Sequence, residues 1–564
     1  MRHMGWNKHD VSRSVFPCPV IERKFKPPFD HMHDLFIFVM VFRNFRSGGY
    51  IPENQAHFLS MHEFTLKSGY NFLSRQGVEG VVHKCDFTIS LRYWKLLKCP
   101  GLVLGFQDMY LYLMNLHFIA IGGSAMHNLA LALHDKGYTI TGSDDVIFEP
   151  SRSRLEAAGI LPGAEGWFPD KIDSGLDAVI LGMHAKGDNP ELARARERGL
   201  PVYSYPEFLY EQAKDKTRVV IGGSHGKTTI TSMILHVMNY WNRDVDFMVG
   251  AQLEGFDRMV RLTESNDFIV LEGDEYLSSA LDPRPKFHLY RPNIALLSGI
   301  AWDHINVFKT FEAYAEQFRI FLQTIVPGGS ITYNSEDPAL SGMIADWDAP
   351  VRKFAYGTPE YRVEDGTTLL ETPEGELPLQ VFGRHNLSNM AGAKWICQQM
   401  GVDEVDFYEA MGSFKGASKR LELLAKGAGS FIFKDFAHAP SKVGAAASAV
   451  QEQFPDHRIV ACLELHTYSS LNHDFIGQYR GSLDGVDEAI VFYVPESLEV
   501  KGLQPIAPAD IKKAFGRDTL KVFTQTDALE KHLEDTPLED TVLLLMSSGN
   551  YGGLDLEKLL SRVR

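Results

Sequence analysis

The 564-residue chain is 45% hydrophobic and 23% charged, the composition of a folded globular protein. It is several times the ~150 residues of a typical domain, which excludes both a single small module and a disordered chain. Its 72 acidic residues outnumber 56 basic ones for a formal charge of −16, which excludes broad attraction to nucleic acid or to an anionic membrane. Five cysteines without paired spacing make neither a disulfide framework nor a zinc cluster and point to a reducing compartment. The apolar run LFIFVMVF at 35–42 falls short of the roughly 18–20 residues a spanning helix needs. No secretory leader is expected, and a cytoplasmic protein without membrane insertion is.

Residues 1–113 stand apart. They carry 14 Lys and Arg against 9 Asp and Glu, whereas the remainder carries 42 against 63. The stretch KFKPPFDHMHDLFIFVMVF holds no sustained period of 3.6 or 2. It reads either as a basic, aromatic-rich extra domain or, preferably, as an upstream read-through before a true start at Met114. MNLHFIAIGG opens there as a well-formed first strand.

From 114 the pattern is strand, Gly-rich turn, helix, repeated. LHFIAIGG, SAMHNLALALHDKG and YTITGSD predict β-α-β with strands buried on both faces, and DAVILGMH, NPELARARERG and PVYS continue it. A second unit opens with RVVIGGSHGKTTITSMILHVM and adds the buried strands DFIVLEGD and NIALLSGI. A third begins near 385 with the helix SNMAGAKWICQQMG. It continues through GSFIFKDFAH, PSKVGAAASAVQEQF, HRIVACLEL, EAIVFYVP and TVLLLMSSGNYGG. The expected organisation is α/β, with three domains in series over 114–214, 215–380 and 381–564.

The sharpest motif is GGSHGKTT at 222–229, between a predicted strand and a predicted helix. Backbone N–H groups of Gly223, Ser224, His225 and Gly226 can close around phosphate oxygens. Lys227 can reach the terminal phosphates, Thr228 can offer its hydroxyl to Mg²⁺, and Thr229 follows on the helix. Ile221 stands where the general pattern has its first Gly, so the loop is a shorter variant. A Mg²⁺–nucleotide site also needs hard oxygen ligands. LEGDEY at 271–276 supplies Glu272, Asp274 and Glu275, and WDH at 302–304 supplies a carboxylate and an imidazole. Both lie at the carboxyl ends of predicted strands, where open α/β sheets bind ligands.

With GGSHGKTT at 222–229, EGDEY at 272–276, DH at 303–304, RHNLSN at 384–389, KRLE at 419–422 and DFAHAP at 435–440 in this order, the chain resembles the Mur ligase family. These are the ATP-dependent amide-forming enzymes of peptidoglycan assembly. The resemblance covers roughly 114–564. It implies a Rossmann-like UDP-sugar domain, a central phosphate-loop ATPase and a C-terminal Rossmann-like domain that brings the amine. The implied chemistry is phosphorylation of a substrate carboxylate by ATP to an acyl phosphate, which the amine then attacks.

The resemblance also implies roles. Lys227 and Thr228 hold phosphates and Mg²⁺, and Glu272 and His304 act at metal sites. His385, Asn386 and Asn389 contact the nucleotide, Arg420 lies over the phosphates, Asp435 near the ribose, and His438 lines the reacting centre. Arg420 as a surface ion pair and HNLSN as a simple helix cap remain open alternatives. Gly122, Gly123 and Ser124 would cradle the UDP diphosphate and Asp144 would sit near the uridine end, although HNLAL after Met126 is less Gly-rich than usual.

Several members carry a carbamylated lysine on the helix after the DH block. Phe318 takes that place here, so no carbamate is expected, as in the branch that acts on UDP-N-acetylmuramate. Within that branch, LDPRPKFHLYRP (281–292), WDHINVF and MSSGNYGG lean towards ligation of the tripeptide L-alanyl-γ-D-glutamyl-meso-diaminopimelate. His466, His473 and Arg480 are the cations expected to hold its carboxylates. The alternatives are L-alanine as the amine, or a Mur-like nucleotide-binding protein without ligase activity.

Overall fold

In the computed structural model the chain divides into two units, Met1–Met109 and Tyr110–Arg564. The structure describes residues 114–563, apart from 254 and 428, and before them only a ladder of Leu66–Lys67 with Asp86–Phe87. The expectations for 1–113 otherwise lie outside the described residues.

The apolar runs of the second unit become strands covered on both faces. Leu116, Phe118 and Ile119 of β1 (Asn115–Ile119) are fully buried, as a parallel sheet under helices requires. β2 (Thr139–Ser143), β3 (Ala178–Leu181) and β4 (Val202–Ser204) complete a parallel sheet in the order β2-β1-β3-β4. Helix α1 (Ser124–Asp135) follows β1 directly.

The central sheet has seven strands. β5 (Thr217–Gly222), β6 (Asp246–Met248), β7 (Val260–Arg261), β8 (Phe268–Glu272), β9 (Ile294–Leu297), β10 (Ser330–Asn334) and β11 (Arg352–Tyr356) lie in the order β11-β10-β9-β5-β8-β6-β7. All pairs are parallel except β6 with β7. The chain runs from β5 to one side through β6 and β8, then crosses to β9 on the other. The carboxyl end of β5 is therefore a topological switch point, where a crevice opens. Helix α2 (Lys227–Tyr240) starts there and α3 (Phe311–Thr324) packs nearby. A small antiparallel meander, β12 (Tyr361–Glu364), β13 (Thr367–Thr372) and β14 (Gly375–Leu379), follows.

Helix α4 (Arg384–Gln399), read from sequence as the start of the third unit, packs into the central core. Leu387, Met390, Ala393 and Ile396 join Val219, Ile221 and Ile230 in one buried cluster. Its periodicity marks an apolar face but cannot say which sheet that face meets.

The last sheet contains β15 (Glu422–Gly427), β16 (Ser430–Asp435), β17 (Arg458–Glu464), β18 (Glu488–Phe492), β19 (Lys521–Phe523) and β20 (Thr541–Met546) in the order β15-β16-β20-β17-β18-β19. Only β15 is antiparallel to its neighbour. Helix α5 (Pro440–Gln453) leads from β16 to β17, with Pro at its first turn where no N–H is required.

Candidate active site

The loop after β5 turns because two of its glycines take positive φ. Gly226 has φ 75° and stands immediately before α2. A Cβ at Gly226 would overlap Asn389 Oδ1, so glycine lets α4 press against the loop. Ser224 Oγ lies 2.9 Å from Tyr314 OH and accepts the Ala301 N–H at 2.8 Å, which ties the loop to the segment after β9.

Lys227 Nζ donates to the Gly223 carbonyl at 2.7 Å and to Glu275 Oε2 at 2.5 Å. Glu275 is 1% exposed and its other oxygen accepts from Tyr314 OH at 3.1 Å and faces His304 Nε2 at 3.5 Å. Burial works against both charges, yet each holds the other ionised: the Lys227 ammonium is raised and the Glu275 carboxyl held well below their ordinary ranges.

The three expected metal ligands divide between two places. Thr228 Oγ1 donates to Glu272 Oε1 at 2.9 Å, and the Gly250 N–H donates to Glu272 Oε2 at 2.8 Å. His304 instead joins Asp274 and Glu275, whose ligand atoms all lie within 4.8 Å of one another. Among the described residues Asp274 pairs with Lys286, Glu275 with Lys227 and Asp303 with Lys442. Glu272, 8% exposed, has as hydrogen-bond donors among the described residues only the neutral Thr228 hydroxyl and Gly250 N–H, with Arg420 and Lys227 acting on it through space. A buried carboxylate in no ion pair, hydrogen-bonded to a hydroxyl, suits a hard divalent ion, so Thr228 and Glu272 fit Mg²⁺. His304, held at φ 54°, has its imidazole pKa raised: burial lowers it, but Glu275 and Asp303 more than offset this.

His385, Asn386 and Asn389 occupy the first two turns of α4, and Asn386 Nδ2 donates to the Phe382 carbonyl at 2.9 Å. Arg420 sits on a strained turn between Lys419 and Leu421, both at positive φ, with its guanidinium 4.8 Å from the Phe436 ring centre. Asp435, at the end of β16, accepts the Leu421 N–H at 2.7 Å and the Ala437 N–H at 2.6 Å. His438 Nδ1 lies 2.8 Å from the Phe436 carbonyl. Burial and nearby Lys442 lower its pKa to about 4, so the ring is neutral at pH 7 with Nε2 as its acceptor.

These groups converge on one cavity of about 910 Å³ between the central and last sheets. Lys227, Glu272, His304, Asn389, Arg420 and His438 line it together. A recess of about 330 Å³ shares Asp274, Asp303, His304, His438 and Thr467 with it and extends to Tyr468 and Ser469. Lys442 and Ser441 were not expected from sequence. Lys442 lies in the first turn of α5, four residues after His438, and Ser441 Oγ meets His225 Nε2 at 2.8 Å.

The four residues read as a UDP cradle lie together away from this cavity. The Gly122 N–H donates to Asp144 Oδ2 at 2.7 Å, Gly123 caps α1 and Ser124 is its first residue. Burial raises the Asp144 pKa to about 6.

The expected cationic cluster is not assembled. His473 Nε2 lies 3.0 Å from the Pro505 carbonyl, Arg480 donates to the Lys513 carbonyl at 3.3 Å, and His466 faces Glu464 at 3.8 Å. None of the three lines either cavity, because each is held within its own part of the last domain. Phe318 is fully buried, edge-on to Phe287 and Tyr314 at 5.5 and 5.2 Å, so that helix position is aromatic core.

A phosphate loop at the switch point of a parallel sheet, with carboxylates and an imidazole facing it across a cleft, defines a nucleotide-dependent α/β enzyme. Residues 221–397 match the Mur ligase middle domain and residues 115–217 match the domain described as Mur ligase family, catalytic domain. The chain is 31% identical over 455 residues to the UDP-N-acetylmuramate--L-alanine ligase of Persephonella marina, covering 77% of this chain and 94% of that one. It is 32% identical over 394 residues to the enzyme of the same name from Paenarthrobacter aurescens, covering 66% and 82%. The fold is similar to the UDP-N-acetylmuramate-alanine ligase MurC from Thermotoga maritima (TM-score 0.59, 22% identity, 80% and 98% covered). It is also similar to a murein peptide ligase Mpl from Psychrobacter arcticus (TM-score 0.56, 24% identity, 80% and 98% covered). The chain belongs to the Mur ligase family and is an ATP-dependent, ADP-forming amide ligase of peptidoglycan synthesis.

Proposed function

We propose that this chain joins L-alanine to the carboxylate of UDP-N-acetylmuramate through an acyl phosphate. The relatives that bear this name match at 31% and 32% identity, and they favour L-alanine over the tripeptide expected from local strings. The observation that carries the choice is the amine-side recess. None of His466, His473 and Arg480, the cations expected to hold a tripeptide's carboxylates, lines it or the cavity it opens into.

In this reading Lys227 exchanges Glu275 for the terminal phosphates of ATP, and Thr228 and Glu272 hold Mg²⁺, which neutralises phosphate charge when bound. His304 serves a second metal position with Asp274 and Glu275. His385, Asn386, Asn389 and Asp435 hold the nucleoside, and Arg420 lies over the phosphates. Gly223, Ser224, His225 and Gly226 present the loop's backbone, with Thr229 securing the helix behind it. Gly122, Gly123, Ser124 and Asp144 seat the UDP end of the sugar. The amine attacks as its free base, and His438, neutral with Nε2 open, accepts a hydrogen bond from it and orients it towards the acyl phosphate, while Asp303 and Lys442 fix the field around the ring. Both substrates being UDP-sugar and amino acid, we place the reaction in the cytoplasm; no helix among the described residues is long and apolar enough to cross a membrane.

The tripeptide remains a second reading on one observation. Lys286, from the segment that resembles the tripeptide branch, pairs with Asp274 on the recess wall. The test is competition: with ATP, UDP-N-acetylmuramate and equal concentrations of both amines, mass spectrometry should show mainly the L-alanine product. Preferential consumption of the tripeptide would replace this reading with the second.

A further inference from the structure

His127 and Asn128 interrupt the glycine-rich pattern after Met126, and both are buried, at 2% and 0% exposure. Burial lowers the His127 pKa, so the ring is neutral. Its Nδ1 lies 3.0 Å from the Gly123 carbonyl and 3.0 Å from Ser151 Oγ. With Nδ1–H donating to Gly123, Nε2 is left as an acceptor, and Asn128 Nδ2 reaches it at 3.0 Å. The other amide hydrogen goes to the Ser124 carbonyl at 2.9 Å. Asn128 Oδ1 accepts the Met259 N–H at 3.1 Å. The amide, 0% exposed, therefore has each donor and its acceptor engaged within the protein.

Met259 immediately precedes β7 of the central sheet. Its carbonyl accepts the Val249 N–H at 2.9 Å. The next N–H, of Gly250, is the one that holds Glu272 Oε2, while Glu272 Oε1 accepts from Thr228. An unbroken line of bonds thus runs from the first turn of α1, through Asn128, to the carboxylate beside the phosphate loop.

We infer that Asn128 is a positioning residue that couples the Gly122–Ser124 turn to the Thr228–Glu272 pair, so that seating the UDP-sugar changes affinity for the metal–nucleotide. This rests on the site assignments proposed above. A displacement of the α1 turn must either carry Met259 with it or strand a buried N–H, so two arrangements of the line differ in energy at both ends. Glycine at 128 would have no side chain to join the two domains.

The experiment is calorimetric titration of the full chain with Mg²⁺ and a non-hydrolysable ATP analogue, with and without saturating UDP-N-acetylmuramate, for wild type and Asn128→Ala. In wild type the sugar should change the nucleotide Kd by about fivefold or more. In Asn128→Ala that ratio should fall to near one, while each ligand's separate Kd changes by less than about threefold. If Asn128→Ala does not fold, Asn128→Ser is measured in the same way. A wild-type ratio of one, or an undiminished ratio in the variant, overturns the coupling role alone. Failure of wild type to bind the UDP-sugar overturns the site assignment, and the coupling with it.

Discussion

Replacing Lys227 with Met removes one member of an ion pair whose other member, Glu275, is 1% exposed. At 2.5 Å and an effective dielectric of about 20, the lost attraction is about 6–7 kcal/mol. Desolvation of both ions cancels much of that in wild type, but the variant keeps Glu275 buried without its lysine. Removing one partner of such a pair costs about 3–5 kcal/mol. His304 at 3.5 Å from Glu275 compensates in part and moves the expectation to the lower end. Lys227→Met should therefore lose both phosphate release and stability, and Lys227→Met/Glu275→Gln should recover most of the stability without recovering turnover. Urea unfolding followed by circular dichroism, with a colorimetric phosphate assay, separates the two effects. An unfolding midpoint unchanged in the single variant would refute the buried-charge argument. Near-normal phosphate release in either variant would refute the placement of Lys227 on the phosphates.

Phe318→Ala, which removes a fully buried ring, should cost about 3–5 kcal/mol. In the unmodified protein, activity should not respond to added bicarbonate, and a clear rescue by bicarbonate would show a carbamate elsewhere. Glu272→Gln should weaken Mg²⁺-dependent nucleotide binding about tenfold or more while metal-free binding of ADP changes little; equal loss of both would remove Glu272 from the metal. His438 has its pKa lowered to about 4 against an ordinary ~6.5, so between these values the unfolded chain binds a proton that the folded chain does not. Its contribution makes stability fall as pH drops through that window, and His438→Gln should flatten that slope; an unchanged slope would mean the ring is not held neutral.

Much of the fold was readable because its strands are continuous apolar runs. β1, β5, β8, β9, β16, β17 and β20 all lie within segments whose composition permits little but burial in a parallel sheet. The phosphate loop was equally legible, since glycine at Gly226 and Lys-Thr-Thr at a helix start answer to local backbone geometry. β10, β11 and the β12–β14 meander were not read. Their burial alternates or is partial, as in the exposed Arg352 and Lys353 of β11 and the two buried residues of β13, and such pairing depends on distant partners.

The candidate site divides in the same way. Its residue types and their positions at strand ends follow from sequence, because a nucleotide and its metal demand glycine turns, a lysine, a hydroxyl and carboxylates. Tertiary structure alone decided how the charges are shared. It gave Glu275 to Lys227, Asp274 to Lys286 and Asp303 to Lys442, which leaves Glu272 with neutral donors beside Thr228. It joined α4 to the central core rather than to the last sheet, and it turned His473 and Arg480 to backbone carbonyls outside the cleft. Local propensity acts over a few neighbours along the chain, whereas the partner of a buried charge is whichever group packing brings within a few ångströms from residues far away in sequence.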